Sequence, residues 1–208
     1  MPKLKGLLSL LPPLENIPVE EMRLWLKRRD SPQILENEIG NRLLYPLTTP
    51  VTDQDLMLDY AILRESLKME PQKYFSRNFG RLYIPDQLIP FFSNLQNLIW
   101  VFIDVFNPVG IVTVYAKGDG IGSKNLGSII TPTVSENSGQ IELSVDNRKY
   151  RIKFGSMVTI PSDGRRLLIK FESDSATLQG KNSLAAEIFG GPLGIVVDAR
   201  IKSVNLKK

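Results

Sequence analysis

The run Asn107-Pro108-Val109-Gly110 separates two sequence patterns, and this change limits the chain to a fold of two parts. Before it, apolar residues recur at spacings of three and four, as on the buried face of a helix. After it, short segments rich in β-branched and aromatic residues alternate with turn-forming residues. We therefore predict an α+β protein in which Pro108 and Gly110 belong to a structural turn. The predicted parts are an N-terminal extension at 1–16, a mainly helical domain at 17–110 and an all-β domain at 111–208.

The helical part contains two clear amphipathic segments. Residues 53–69 carry apolar side chains along one stripe, and Thr52 followed by Asp55 is a capping signal for the first turn. Residues 18–29 begin with proline and two glutamates and end with three cations, which is the order that the helix dipole favours. We predict one helix over each segment.

A strand and a third helix are predicted just before the junction. Residues 80–84, "GRLYI", have the composition of a short strand. The Pro85-Asp86 pair then opens a helix over 86–106, whose second half is apolar on every side. A helix of this kind is buried on more than one side, so we expect Trp100 to lie in the core.

The part after the junction is predicted to be a β-sandwich or a β-barrel. Many short strand-like segments lie close together there, separated by Gly, Asn, Asp and Ser. The clearest hairpin is "IELSVDNRKYRIKF", in which two alternating segments meet at Asp146-Asn147.

Composition limits the chemistry that the chain can perform. The 208 residues contain no Cys and no His. A thiolate nucleophile, a Cys-based zinc site and a Ser-His-Asp triad are therefore excluded, and the commonest general base is missing. Asp53, Asp55 and Asp59 share one predicted helix, but without a further ligand they indicate a solvated helix face rather than a metal site. We expect a protein that is not an enzyme, with no catalytic residue, no cofactor and no metal.

Targeting and membrane signals are weak. The apolar run at 7–11 is too short for a secretion signal, and Pro12-Pro13 follows it without a cleavage site. Polar residues interrupt the longest apolar stretch, 88–106, which disfavours a membrane span. We expect a cytoplasmic location and no membrane partner.

Basic residues around the predicted hairpin form the one candidate interaction patch. The net charge of +4 is too small to indicate nucleic-acid binding by itself. Tyr150 and Phe154 alternate with the hairpin cations and are expected to face the core, so no aromatic platform accompanies the charges and nucleic acid is a disfavoured partner. The cations of this patch are Arg148, Lys149, Arg151, Lys153, Arg165 and Arg166.

Two glycine-rich segments invite a phosphate-loop interpretation, and neither is followed by a helix. "KGDGIGSK" at 117–124 lacks the Gly-Lys-Ser/Thr ending of a P-loop and is expected to be a flexible loop. "GGPLG" leads into "IVVDAR", so Gly190, Gly191 and Gly194 are expected to form a structural turn with positive φ angles. Asp198 and Arg200 are expected to reach cross-strand partners at the edge of the β domain.

Several segments taken in order resemble a known family. They are "VEEMRLWLKRRD", "LTTPVTDQDLMLDYAILRESLKM", "FIDVFNPVGIVTVY", "NLGSIITP", "KFGSMVTIP" and "GGPLGIVVDAR". Together, from about residue 17 to 200, they resemble the C-terminal half of the MutL-type accessory protein of glutamate mutase (methylaspartate mutase), which is unrelated to the mismatch-repair protein of similar name.

The resemblance implies a fold of the actin/Hsp70 ATPase type, with 17–110 as part of an actin-like lobe and an added β domain. The family's phosphate loops have no counterpart in this sequence. Where the family has a Ser-Gly-Gly-like turn after the strand at 80–84, this chain has "RLYIPDQ", so ATP binding is not carried over. A non-catalytic accessory or scaffold protein is implied. Its partner would be a separately encoded N-terminal ATPase-like half or a mutase. The alternative is a stand-alone β-domain module that binds protein or nucleic acid.

Overall fold

The computed structural model describes residues 18–29, 31–45, 50–69, 75–76, 80–91, 94–118, 123–136 and 138–200. They divide into two compact units. The helical unit contains the described residues up to Phe75 together with Ile84–Asn107. The β unit contains Ser76–Tyr83 together with the described residues from Pro108 onward.

The helical unit is built from four α-helices and one 3-10 helix among its described residues. They are α1 (Val19–Trp25), α2 (Pro32–Leu44), α3 (Asp53–Met69), a 3-10 helix (Asp86–Phe91) and α4 (Leu95–Phe106). Helices α1, α2 and α3 share one apolar core, formed by Met22, Leu35, Ile39, Leu58, Ala61 and Ile62.

Helix α3 begins and ends as the sequence predicts. Thr52 Oγ1 accepts the N–H of Asp55 at 3.1 Å, and a carboxylate oxygen of Asp55 accepts the N–H of Thr52 at 2.9 Å. This reciprocal pair satisfies two of the amides that a helix N-terminus leaves without partners. Polar side chains off the predicted stripe are nevertheless buried, among them Asp59, which was expected on a solvated face, and Glu65. Glu65 is 2% exposed and its carboxylate lies 2.9 Å from Lys68 Nζ.

The predicted helix at 86–106 is wrong in its first half, because the backbone forms a 3-10 helix there before α4 begins. Asn94 caps α4, and its side chain accepts the N–H of Gln96 at 2.8 Å. The expected burial of Trp100 is also wrong, since this side chain is 41% exposed while Phe102 is fully buried. Apolar residues on every side of α4 therefore do not mean burial on every side.

Two further differences concern the first helices. The helix predicted at 18–29 ends at Trp25, and Lys27 just after it is left-handed with φ of +53°. Helix α2 was not predicted separately, although Ser31 at its N-cap and Pro32 in its first turn are recognised start signals. No helix in the described ranges is long and apolar enough to cross a membrane.

Twelve strands are present in the described residues. They are β1 (Phe75–Ser76), β2 (Arg81–Pro85), β3 (Gly110–Lys117), β4 (Ser123–Thr131), β5 (Thr133–Val134), β6 (Gln140–Val145), β7 (Arg148–Lys153), β8 (Met157–Ile160), β9 (Arg166–Glu172), β10 (Ala176–Thr177), β11 (Ser183–Phe189) and β12 (Gly194–Asp198).

The strands form one mixed sheet of six, one antiparallel sheet of four and a two-stranded pair. The six-stranded order is β1-β2-β3-β4-β12-β8, with β12 parallel to β4 and antiparallel to β8. The four-stranded order is β11-β9-β6-β7, and β10 pairs with β5. The two larger sheets contribute to one apolar core that includes Ile130, Ile195, Leu143, Ile169 and Phe171. The β unit is therefore a β-sandwich, which is one of the two architectures predicted for the part after the junction.

The hairpin predicted at Asp146-Asn147 is confirmed. β6 and β7 pair with Val145 opposite Arg148, so the turn has two residues. Asp146 and Asn147 have φ of +44° and +72°, and two successive left-handed residues match the twist of the flanking strands.

Candidate functional site

The glycine-rich turn before β12 is tied down by backbone hydrogen bonds. The N–H of Gly190 donates to the carbonyl of Arg165 at 2.9 Å, and the N–H of Gly194 donates to the carbonyl of Gly191 at 2.8 Å. The N–H of Gly191 donates to Ser162 Oγ at 3.1 Å. These amides already have protein partners, so they do not form a cradle for a phosphate.

The same turn has no space for side chains. A Cβ on Gly191 would lie 2.4 Å from the carbonyl oxygen of Leu126, and one on Gly194 would lie 2.4 Å from that of Ile160. Only Gly194 has a left-handed φ, at +76°. The interpretation that positive φ explains every glycine here is therefore wrong. Gly190 and Gly191 are required because the Ser162 side chain and the Leu126 backbone approach them closely.

The turn that ends α4 has the conformation that its residues favour. Asn107 is left-handed at φ +45° and donates its N–H to the carbonyl of Ile103 at 2.9 Å. Pro108 is buried, and Gly110 begins β3 with φ of +89°. The backbone angles and the hydrogen bond of this turn give it a structural role, which is to join helix α4 to strand β3.

Asp198 and Arg200 pair with each other. The Arg200 guanidinium lies 2.8 Å from an Asp198 carboxylate oxygen, and the Arg200 N–H donates to the same oxygen at 3.2 Å. The Asp198 side chain is 0% exposed. The expected edge position is wrong, because β12 lies between β4 and β8 and is buried along its whole length.

The predicted basic patch lies on and around the outer side of the four-stranded sheet, and acidic side chains accompany it. Glu142 lies 2.8 Å from Lys149 Nζ and 3.7 Å from the Arg151 guanidinium. Arg165 contacts Asp146 at 3.0 Å. All six cations of the patch are exposed, so pairs of this kind contribute little to stability and mainly neutralise the surface.

The charge pairing is visible in the acid–base behaviour of the patch. The hydrogen bond from Lys149 lowers the pKa of Glu142 below its ordinary value and raises the pKa of Lys149. Arg148, Tyr150 and Ile152 occupy alternate positions of β7 and so lie on the same side of the strand. The outer side of β7 therefore carries only Lys149, Arg151 and Lys153. The expectation that every hairpin cation faces away from Tyr150 is therefore wrong for Arg148.

A second basic surface carries a stacked pair of aromatic side chains, whereas the first has the single ring of Phe189, whose centroid lies 5.2 Å from the Arg166 guanidinium carbon. Tyr83 of β2 and Tyr115 of β3 stack with ring centroids 5.7 Å apart and planes 25° apart. The Arg81 guanidinium carbon lies 6.0 Å from the Tyr115 centroid, and Lys117 Nζ lies 5.8 Å from the Tyr83 centroid. We call these four residues the β2–β3 patch. Both cations are exposed and both tyrosines are half-buried.

The β2–β3 patch was not predicted from the sequence, because its halves fall on opposite sides of the junction. A signal existed, since Arg81 and Tyr83, and likewise Tyr115 and Lys117, are two residues apart and share a strand face. Nothing in the sequence says that the two strands are neighbours. The hydrogen bond from the Thr113 N–H to the Gly80 carbonyl, 2.8 Å long, is part of the contact that joins them.

The helical unit has a cavity of about 320 Å³ between the end of α2 and the start of α3. An ion pair lies beside it, with the Arg42 guanidinium 2.7 Å from an Asp59 carboxylate oxygen. Tyr45, Thr52 and Asp55 are among the residues that line it. The cavity opens to solvent, and both polar and apolar groups line it.

The carboxylates weighed as a metal pair have other partners. Hydrogen bonds from Thr52 and from the Val51 N–H, of which the Thr52 N–H is the strongest influence, lower the pKa of Asp55. Burial raises the pKa of Asp59, while its hydrogen bond from Arg42 opposes that shift. In the described ranges no group of three or more acidic side chains is placed to hold a metal ion.

Exposed apolar side chains concentrate on the helical unit. Twelve large apolar side chains are exposed among the described residues, and eight of them belong to the helical unit. Leu44 and Tyr45 at the end of α2 are 74% and 66% exposed, and Val51 just before α3 is 87% exposed. Tyr45 lines the cavity, and the Val51 N–H donates to Asp55 of its lining at 3.1 Å. We call Leu44, Tyr45 and Val51 the cavity rim.

A scan against protein-family models, a search of curated proteins and a search of solved structures each gave no match to this chain.

Proposed function

We propose that this chain is a non-catalytic accessory or scaffold protein that binds a protein partner through its helical unit. The observation that carries the proposal is the apolar cavity rim, where Leu44, Tyr45 and Val51 are each at least 66% exposed. Soluble proteins rarely leave apolar side chains clustered in water unless the surface has a partner.

The surroundings of the rim suit a protein interface. Charged pairs lie next to it, including Arg42 with Asp59 and Arg28 with Glu38. An apolar centre with charged groups around it is the usual anatomy of such a surface, and tyrosine is enriched there. A partner that covers Tyr45 would also enclose the cavity of about 320 Å³.

The partner that we propose is a separately encoded N-terminal ATPase-like half or a mutase. The resemblance to the C-terminal half of the MutL-type accessory proteins supports this choice, because that family carries its phosphate loops in the other half. The lack of Cys and His in this chain supports a binding role over a catalytic one.

Co-purification from the native host tests the proposal. The tagged full chain should retain an actin/Hsp70-like ATPase or a cobalamin-dependent mutase, identified by mass spectrometry. Leu44→Glu should reduce that retention at least about tenfold, which corresponds to roughly 1.4 kcal/mol. Leu168→Glu is the matched control, because Leu168 is 51% exposed on the β unit.

Two results would contradict the proposal. One is retention that is equal for the wild type and both variants, which would mean that the rim takes no part. The other is a Leu44-dependent partner with no ATPase-like or mutase domain, which would leave the docking surface but refute the proposed partner.

A further inference from the structure

We propose that the β2–β3 patch binds single-stranded nucleic acid, with bases against Tyr83 and Tyr115 and phosphates at Arg81 and Lys117. The inference goes beyond the proposed partner docking, which involves the other unit. It rests on four side chains that the β unit brings together from two strands.

The aromatic pair offers a stacking surface that is already in place. The two rings are nearly parallel, with centroids 5.7 Å apart, and each belongs to a hydrogen-bonded strand of the six-stranded sheet. Bases stack on tyrosine faces with little regard to sequence, because every base has a π-face. Since the strands fix the rings, little conformational freedom would be lost on binding.

The cations lie beside the rings and can reach a backbone that passes over them. Arg81 and Lys117 lie 6.0 and 5.8 Å from the ring centroids, near the outer limit of a cation–π contact. A contact at this distance is weak, so it does not oppose a turn of Lys117 toward a phosphate. A side-chain hydrogen bond with Tyr83 raises the pKa of Arg81, so its charge is secure.

The charge balance distinguishes this patch from the outer side of the four-stranded sheet. The described strands β2 and β3 contain Arg81 and Lys117 and no acidic residue. On the four-stranded sheet, by contrast, Glu142 alone contacts two cations. Positive charge without acidic residues on the same strands favours an anionic ligand.

The combination of rings and cations distinguishes a ligand that needs only the cations, a ligand that needs only the rings and a ligand that needs both. An acidic peptide would use the cations and leave the rings uncovered, and a neutral sugar would use the rings but not the cations. A nucleotide strand uses both groups at once. Duplexes hide their base faces within the stack, so single strands are the preferred form.

Fluorescence anisotropy with the full chain and a labelled oligothymidylate tests the proposal. We expect saturable binding at about 50 mM salt that weakens steeply toward 200 mM. Tyr83→Leu and Tyr115→Leu should each weaken binding about 5- to 100-fold, the range for one lost base stack. Tyr115→Phe should retain binding, because the ring remains. An oligouridylate separates RNA from DNA as the preferred strand.

Salt dependence tests the cations separately. Lys117→Gln should reduce the slope of log affinity against log salt by about 0.7, as expected for one phosphate contact on a single strand. Lys149→Gln is the matched control, because Lys149 is an exposed β-unit lysine paired with Glu142. It should leave the slope within error of the wild type.

Several results would overturn the inference. No binding at low salt would do so, and so would equal affinity for a duplex of the same length. Polyglutamate binding that survives both tyrosine-to-leucine changes would identify an acidic protein as the ligand instead. Each variant is first checked by circular dichroism and thermal melting, and the salt slope of Lys117→Gln carries the test where a leucine variant unfolds. The cavity rim is unchanged in all of them, so failure here leaves the partner proposal standing.

Discussion

Replacing Gly194 by Ala should destabilise the protein by about 2–5 kcal/mol, through two separable effects. The left-handed φ of +76° costs a residue with a Cβ about 1–2 kcal/mol. The Cβ would also lie 2.4 Å from the carbonyl oxygen of Ile160 in the neighbouring strand β8, and overpacking of this kind costs about 1–3 kcal/mol. Relief of the clash requires β8 to move away from β12, which weakens the pairing of Ile160 with Ile195.

Two other glycines isolate the two effects. Gly180 has nearly the same φ, +77°, and nothing lies within 4 Å of the position that a Cβ would take there, so Gly180→Ala should cost only about 1–2 kcal/mol. Gly191 has no positive φ, but its Cβ would lie 2.4 Å from the Leu126 carbonyl oxygen, so Gly191→Ala should show the steric cost alone. The cost at Gly194 should be close to the sum of the other two.

Urea unfolding of the full chain measures these differences. Circular dichroism follows the strands, while the fluorescence of Trp25 and Trp100 reports the helical unit. In thermal melting, Gly194→Ala should melt about 2–12 °C below Gly180→Ala, because each kcal/mol corresponds to roughly 2–4 °C for a chain of this size. Equal losses at Gly180 and Gly194 would refute the steric argument. An unchanged melting temperature in all three variants would refute both effects.

Three further predictions concern the buried partner of Arg200, the capping carboxylate of Asp55 and the exposed side chain of Trp100. Arg200→Ala should cost about 1–3 kcal/mol in urea unfolding, because its partner carboxylate is fully buried, whereas Arg165→Ala, on an exposed pair, should cost at most about 1 kcal/mol; equal costs would contradict this. Asp55 has a folded pKa below its unfolded value, so its stabilisation is present above about pH 4 and is lost as the pH falls through the folded pKa. Asp55→Asn should therefore flatten the acid side of the stability–pH curve, and an unchanged curve would rule this out. Trp100→Asp should leave soluble yield near the wild-type level because Trp100 is 41% exposed, while Phe102→Asp, at 0% exposure, should abolish it. Loss of soluble yield in both variants would mean that Trp100 is buried.

Local signals predicted the elements whose stability is local. The capping pair of Thr52 and Asp55 set the start of α3, and a two-residue turn at Asp146-Asn147 set the β6–β7 hairpin. In both cases the hydrogen bonds that define the element lie within a few residues in sequence, so composition and spacing are sufficient. α2 carried the same kind of signal in Ser31 and Pro32 and could have been found in the same way.

Burial was predicted less well, because it depends on which surfaces meet. The apolar run in α4 indicates strong burial, yet Trp100 is exposed and Phe102 is not. Asp198 and Arg200 were expected at an edge of the β domain, and the pairing of β12 with both β4 and β8 instead encloses Asp198. Periodicity places a residue on a face but does not say what covers that face.

The sequence by itself determined the helical and β character of the two parts and the absence of Cys and His chemistry. These properties follow from backbone preferences and from residue chemistry, which act without reference to distant parts of the chain. Tertiary structure decided the close approach at Gly191 and the meeting of Tyr83 with Tyr115. Each of these requires two segments far apart in sequence to become neighbours, and strand order in a sheet is set by the packing of the whole core rather than by any one segment.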